Sequence, residues 1–485
     1  MASLEVRGKG DTMHNPFAYM GASEMLQRIR SREVSALEVV EFTLDYAEEA
    51  NSLLNCFSAI DREGAVRSAK GIDKRLFSGE RVGLLAGLPV SVKDLIPVRG
   101  LSLTYGSRIY ADHVAEQDAV AVERLRREGA CIVGMTTTSE FGAKGVGDNP
   151  LNGTTRNPWN VDYTPGGSSA GAAASVAAGV TPVALGTDGG GSLRIPAALC
   201  GLAGVKAQFG RVPVVPATGS PTLSHVGPIA RRLEDAGLVL SVVAGYDDRD
   251  PGSVREGMPD VREALRSGVA GLRIGYSRDF GYATPDQDVL DSVEDSVSVL
   301  RSQGADVSII DESIEDPFEL WRTEFYTGIA TRQRRHLDES AGEFDPIVYQ
   351  EMIGARRHSA IEYQEVLFKR HAFRQRIWSL FSTFDVLVCP SVPTSRLPVG
   401  RSVPTGYPSL PVLKWSSYTY PFNLTGHPAL SVPCGFDGAG MPIGVQVISQ
   451  SYREDFLFRV GGVLERHYRF FEKTPDLFRA IPGTE

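Results

Sequence analysis

Apolar residues recur at helical spacing from residue 35 to residue 50, and Ser35 stands at the N-cap position. The run Gly87-Leu88-Pro89-Val90-Ser91-Val92 predicts a short buried strand. An amphipathic pattern starts at Asp118 and stops at Gly129, and Cys131-Ile132-Val133-Gly134-Met135 follows as a second strand. Strand, helix, strand is the order of a sheet with helices on its faces. Residues 170–178 predict a helix of Ala, Gly, Ser and Val ended by Gly179, with side chains small enough for other backbone to pack close. Val183-Ala184-Leu185-Gly186 reads as the next strand.

Further on, residues 285–300 read as an amphipathic helix and residues 306–310 as a strand. Residues 317–384 are helical in pattern, aromatic and charged. Residues 384–390 return to a buried strand, and residues 396–413, rich in Pro, Gly and Ser, read as a long loop of the kind that lines a site. The fold class is α/β. Length alone, 485 residues, suggests about three domains at ~150 residues each. No Pro/Ser-rich or charge-run linker divides the chain, so one domain over 1–485 is expected.

Composition changes this picture little. The chain is 42% hydrophobic and 22% charged, enough for a large core. A net charge of −9 argues against nucleic acid as a partner, and Arg332-Gln333-Arg334-Arg335 reads as a solvated helix face. Cys56, Cys131, Cys200, Cys389 and Cys434 are scattered, form no CxxC pair and read as buried thiols of a reducing cytoplasm. Residues 1–7 carry no apolar leader segment, and no apolar run approaches the ~20 residues of a membrane span. A cytoplasmic monomer or homodimer is expected.

The chemistry concentrates in two glycine-rich turns. Thr164-Pro165-Gly166-Gly167-Ser168-Ser169-Ala170-Gly171 offers Ser168, and Gly186-Thr187-Asp188-Gly189-Gly190-Gly191-Ser192-Leu193-Arg194 offers Ser192. Upstream, Lys93 ends an apolar run. Glycines before Ser192 let amide N–H groups converge on an oxygen turning negative, and let substrate approach. Taken singly, Ser192 is equally a residue of a tight turn and Ser168 a helix N-cap, and Lys93 is equally an ion-pair partner of Asp94. Taken together, two serines and a lysine can perform acyl transfer, provided burial keeps the lysine neutral. His225 and His427 read as hydrogen-bonded structural histidines, with a triad-base role for His225 as the rival. Gly167-Ser168-Ser169-Ala170-Gly171 formally fits a nucleophile elbow centred on Ser169, but loop rather than strand precedes it. No metal-ligand spacing or dinucleotide fingerprint occurs, so neither metal nor cofactor is expected.

The joint pattern resembles the amidase signature family over roughly residues 22–465. It includes the Lys93 segment, Gly166-Gly167-Ser168-Ser169, the run from Gly186 to Pro196, Thr155-Arg156-Asn157-Pro158-Trp159-Asn160, and Pro421-Phe422-Asn423-Leu424-Thr425-Gly426-His427. The resemblance implies one α/β/α domain around a large mixed sheet. It also implies a Lys93–Ser168–Ser192 triad with a cis peptide into Ser168, and an oxyanion hole from the amides of Gly189, Gly190, Gly191 and Ser192. Ser169, Asp188 and Arg194 would support it, the last two as a pair. Ala170 and Gly189 depart from the family's common glycine and threonine. Gly189 would loosen the oxyanion loop or open room above it.

Residues 310–415 are expected to vary and to cover the substrate, with Phe141, Trp415, Tyr418, Tyr420, Phe422 and the 396–413 loop as pocket walls. Those rings point to neutral substrates, aryl acylamides first and aryl carbamates (urethanes) second. The alternative is the glutaminase subunit of a tRNA-dependent amidotransferase.

Overall fold

The computed structural model describes residues 15–408 and 411–478. The sequence reading of residues 1–7, and of Ser409 and Leu410 within the long loop, lies outside the described residues. Among the described residues no helix is long and apolar enough to cross a membrane.

One sheet of 11 strands runs through the molecule. In chain order these are β1 (Phe57–Ile60), β2 (Pro89–Lys93), β3 (Cys131–Thr136), β4 (Val183–Asp188), β5 (Ala203–Lys206), β6 (His225–Ala230), β7 (Arg273–Tyr276), β8 (Asp306–Ile309), β9 (Val386–Pro390), β10 (Ala429–Phe436) and β11 (Pro442–Ser449). Their spatial order is β1-β3-β2-β4-β6-β5-β10-β11-β9-β7-β8. The strands β3-β2-β4 and β9-β7-β8 pair in parallel, and the remaining pairs are antiparallel. The expected mixed α/β sheet is therefore present.

The sheet separates two apolar layers, as the alternation of side chains along a strand requires. In β9, Val386 and Val388 join one buried cluster, while Leu387 and Cys389 join the other. Along β4, Val183 and Leu185 face the first cluster and Ala184 faces a smaller one under helix Ala170–Ala177. That helix is buried along its whole length. A Cβ on Gly171 would stand 2.1 Å from the Cys56 carbonyl oxygen, so only glycine fits there.

The predicted elements mostly form, with different ends. Ser35 caps helix Ala36–Leu54 through a capping box with Glu38, and the helix runs to a left-handed Asn55. Helix Val120–Arg127 starts after Ala119, because the Asp118 carboxylate accepts the Arg99 N–H at 2.7 Å instead. The helical stretch after residue 317 is four helices, Phe318–Arg332, Arg334–Glu339, Pro346–Ala355 and Ala360–Thr383. Residues 397–399 run beside residues 162–164, bonded through Thr164 N–H to Leu397 C=O and Val399 N–H to Asp162 C=O, both 2.9 Å. All five cysteines are buried free thiols.

Candidate active site

Parallel pairing of β2 with β4 brings their carboxyl ends side by side, the edge at which α/β sheets hold ligands. Lys93 ends β2, and Thr187 and Asp188 end β4. Lys93 is fully buried. Its Nζ lies 2.7 Å from Ser168 Oγ, 2.9 Å from Ser169 Oγ and 2.8 Å from Thr187 Oγ1. It forms no ion pair with Asp94, whose carboxylate instead accepts from Thr104 N–H at 2.8 Å. Burial drives the Lys93 pKa well below the ordinary lysine value, against a small opposing pull from Asp188.

Ser168 Oγ lies 2.9 Å from Ser192 Oγ, so hydroxyl and amine form one unbroken line from Lys93 to Ser192. The Gly167–Ser168 peptide is cis. Ser169, not Ser168, precedes helix Ala170–Ala177, and its side chain makes no capping bond. Its hydroxyl donates to the Thr187 carbonyl at 3.1 Å and its oxygen faces Lys93, so it is not the exposed tip of a nucleophile elbow.

The turn carrying Ser192 is fastened through Asp188. The Asp188 carboxylate accepts from Gly191 N–H (2.7 Å), Leu193 N–H (3.1 Å), Arg194 Nε (3.0 Å) and Nη2 (2.9 Å), and Asn423 Nδ2 (2.8 Å). Asp188 and Arg194 are both fully buried. Burial alone would raise the Asp188 pKa, but the Arg194 guanidinium and its hydrogen bonds hold it below the usual carboxylate range. Arg194 also donates to Thr419 C=O at 2.9 Å, Gln446 Oε1 at 2.7 Å and Asn423 Oδ1 at 2.7 Å. Gly191 N–H, one of the four expected oxyanion donors, is committed to Asp188 and so is not free for that role. The amides of Gly189, Gly190 and Ser192 have no hydrogen-bond partner among the described residues.

His225 is buried away from this line. Its Nδ1 lies 2.9 Å from Leu223 C=O and 3.2 Å from Asp188 C=O, and burial, with Lys206 beside it, lowers its pKa. His427 is likewise buried, its pKa lowered to about 3 chiefly by burial. Both are structural histidines.

Ser168 and Ser192 open into a cavity of about 230 Å³. Phe141 lies on its wall, as expected, with Tyr105, Tyr110, Phe325 and Ile329. Tyr110 and Phe141 meet edge to face at 6.1 Å, and Phe141 and Tyr105 hold left-handed backbone, φ 51° and 56°. Among the described lining residues Arg332 is the only Lys, Arg, Asp or Glu, with His113 also on the wall, and the Arg332 guanidinium is tied to the Ala217 carbonyl.

Trp415, Tyr418, Tyr420 and Phe422 are corrections. They are at most 1% exposed, belong to the apolar cluster behind the turn carrying Ser192, and none reaches the cavity. Tyr418 and Tyr420 turn their hydroxyls outward, to Arg278 C=O (2.6 Å) and the Asp316 carboxylate (2.7 Å). No described residue of 396–413 lines the cavity either. The expected room above Gly189 is filled: a Cβ there would stand 2.9 Å from Phe325 Cε2. From the 310–415 region it is helix Phe318–Arg332 that reaches the site, with Phe325, Ile329 and Arg332.

The family model for amidases matches residues 38–458. An acylamidase of Rhodococcus erythropolis is 33% identical over 468 residues, covering 94% of this chain and 97% of that one. A glutamyl-tRNA(Gln) amidotransferase subunit of Carboxydothermus hydrogenoformans is 32% identical, covering 95% and 99%. Among solved structures, a bacterial aryl acylamidase of the amidase signature enzymes superposes with a TM-score of 0.88 at 28% identity, covering 96% of this chain and all of that one. Match, fold and serine–lysine geometry agree: the chain belongs to the amidase signature family and is an amidohydrolase acting on carbon–nitrogen bonds.

Proposed function

We propose that Ser192 is the nucleophile of an acyl-enzyme reaction on neutral amides bearing an aromatic ring. The carrying observation is the line Lys93 Nζ–Ser168 Oγ–Ser192 Oγ, with steps of 2.7 and 2.9 Å, ending in a ring-lined cavity. Burial favours the neutral Lys93 amine, which has two N–H bonds and a lone pair. Ser169 spends its own proton on the Thr187 carbonyl, so Ser169 Oγ and Thr187 Oγ1 take the two amine N–H bonds. The nitrogen lone pair is left for the Ser168 hydroxyl proton.

Ser192 Oγ then attacks the carbonyl carbon while its proton passes to Ser168 and that of Ser168 to Lys93. The developing oxyanion is held by the amides of Gly189, Gly190 and Ser192. As the tetrahedral centre collapses, Lys93 returns the proton through Ser168 to the leaving nitrogen, and the C–N bond breaks. Water repeats the sequence on the acyl-enzyme and frees Ser192.

The rings of Tyr105, Tyr110, Phe141 and Phe325 support an aromatic leaving group, hence aryl acylamides first and aryl carbamates second. The alternative, glutaminase subunit of a tRNA-dependent amidotransferase, is favoured by relatives such as that of C. hydrogenoformans. The ring-lined wall speaks for the acylamide reading, because the zwitterionic backbone of glutamine would meet Arg332 as its only Lys, Arg, Asp or Glu partner there. Steady-state kinetics on an anilide, its matching carbamate, a small aliphatic primary amide and glutamine test the choice, with Ser192→Ala protein as blank. The anilide should give the largest kcat/KM. A large preference for glutamine or the aliphatic amide would overturn it.

A further inference from the structure

The four carbonyls that lead into Ser192 are each held by a donor. Asp188 C=O accepts from Asn423 Nδ2 at 3.0 Å, Gly189 C=O from Trp321 Nε1 at 2.8 Å, Gly190 C=O from Thr419 Oγ1 at 2.7 Å, and Gly191 C=O from Ile195 N–H at 2.7 Å. In a trans peptide the carbonyl of one residue and the N–H of the next point in opposite directions. The only cis bonds among the described residues are Gly167–Ser168 and Val215–Pro216, so these four peptides are trans. A donor that pulls a carbonyl outward therefore aims the following N–H the other way. Gly189 C=O and Gly190 N–H form one such unit.

We propose that Trp321 is a positioning residue for the oxyanion hole: its indole N–H fixes the Gly189–Gly190 peptide with the Gly190 N–H directed at the scissile carbonyl oxygen. The proposal rests on the reading of Ser192 as nucleophile.

Two further observations carry it. The indole cannot drift, being 1% exposed and stacked between Phe325 (centroids 4.7 Å, planes 21° apart) and Tyr420 (5.8 Å, 27°). It also lies directly on the turn, since a Cβ on Gly190 would stand 2.6 Å from Trp321 Cζ2. Gly190 is thus glycine to admit the indole. Trp321 does not line the cavity, so it acts through the peptide rather than by touching substrate. Without the N–H, a buried carbonyl loses its partner, and that peptide is free to rotate toward other donors. Its rotation would turn oxygen, instead of hydrogen, toward the oxyanion.

The test is Trp321→Phe, together with genetically encoded benzothienyl-alanine at position 321, which keeps the bicyclic shape and deletes only the N–H. Kinetics on an anilide are combined with the inhibition constant of an aryl boronic acid, a tetrahedral mimic. Removing a direct oxyanion donor costs about 10²–10³ in kcat. Misaiming one donor is expected to cost on the order of 10-fold in kcat, with KM within about twofold and boronate affinity weakened by about the same factor as kcat. The benzothienyl protein decides the question if Trp321→Phe does not fold. Wild-type kcat in that protein, or a raised KM with unchanged kcat, overturns the proposal. Ser192→Ala assayed alongside separates the two readings: full activity there sinks the nucleophile assignment, whereas an inactive Ser192→Ala beside a fully active position-321 variant sinks only the role of Trp321.

Discussion

Asp188→Asn should unfasten the turn carrying Ser192, at a cost that follows from what the carboxylate holds. Its two oxygens accept five N–H donors, two of them from a guanidinium buried with it. An asparagine has one acceptor oxygen. In either flip its NH2 group faces at least two of those donors, and the Arg194 charge loses its counter-ion inside the protein. Breaking a buried ion pair from one side costs about 3–5 kcal/mol, and the substitution is expected to fall in that range. Turnover should drop at least ~10²-fold, because Gly191 and Leu193, on either side of Ser192, lose their anchor.

The assay is equilibrium urea unfolding followed by tryptophan fluorescence, for which Trp321 and Trp415 are buried reporters. Deleting both charges, Asp188→Leu with Arg194→Met, should be more stable than Asp188→Asn alone, because no orphaned charge remains. Since Arg194 depresses the Asp188 pKa, its stabilisation is present above the ordinary carboxylate pKa and fades only as pH falls through the lower folded value. The gap between wild type and variant should therefore stay constant from neutral pH to about pH 5. A loss under about 1 kcal/mol at neutral pH would refute the reasoning.

Other outcomes follow from the same geometry. Activity should rise with pH as the depressed Lys93 pKa is passed, and Lys93→Arg should stay inactive because guanidinium keeps its proton; a fully active arginine variant excludes Lys93 as base. Lys93→Met should lose at least ~10³ in turnover, and its stability relative to wild type should fall as pH rises toward 10.5, because burial lowers the native Lys93 pKa; a pH-independent difference contradicts the buried amine. Gly189→Ala should cost about 1–3 kcal/mol by pressing its Cβ on Phe325, and Phe325→Leu should recover part of it; an additive double variant contradicts the contact. Phe141→Ala should raise KM for anilides, whereas Trp415→Leu should lower thermal stability and leave KM alone; the reverse pattern would return Trp415 to the pocket.

The serine–lysine line was legible because each member sits at a backbone feature that sequence displays: the end of an apolar strand for Lys93, and glycine turns for Ser168 and Ser192. The Asp188–Arg194 pair was legible through the family resemblance. The turn's remaining supports were not. Trp321 and Asn423 reach it across 132 and 235 residues of chain, and no local pattern records such contacts. Nor does composition separate a ring facing a cavity from a ring facing the core. Trp415, Tyr418, Tyr420 and Phe422 were expected on the wall and lie behind it, while Tyr105, which no pattern singled out, reaches it from left-handed backbone that aromatic residues seldom adopt. Strands such as β5 and β7, with four residues each, gave too short a period to stand out.

The most direct measurement is to treat the protein with an aryl phosphonofluoridate, confirm a single adduct by intact mass, and locate it by peptide mapping. Labelling should fall on Ser192, match the loss of anilidase activity one to one, slow sharply in Lys93→Met, and be absent from Ser192→Ala. Stoichiometric labelling of Ser169 or Ser168 with loss of activity, or unchanged labelling of Ser192→Ala, would contradict the account.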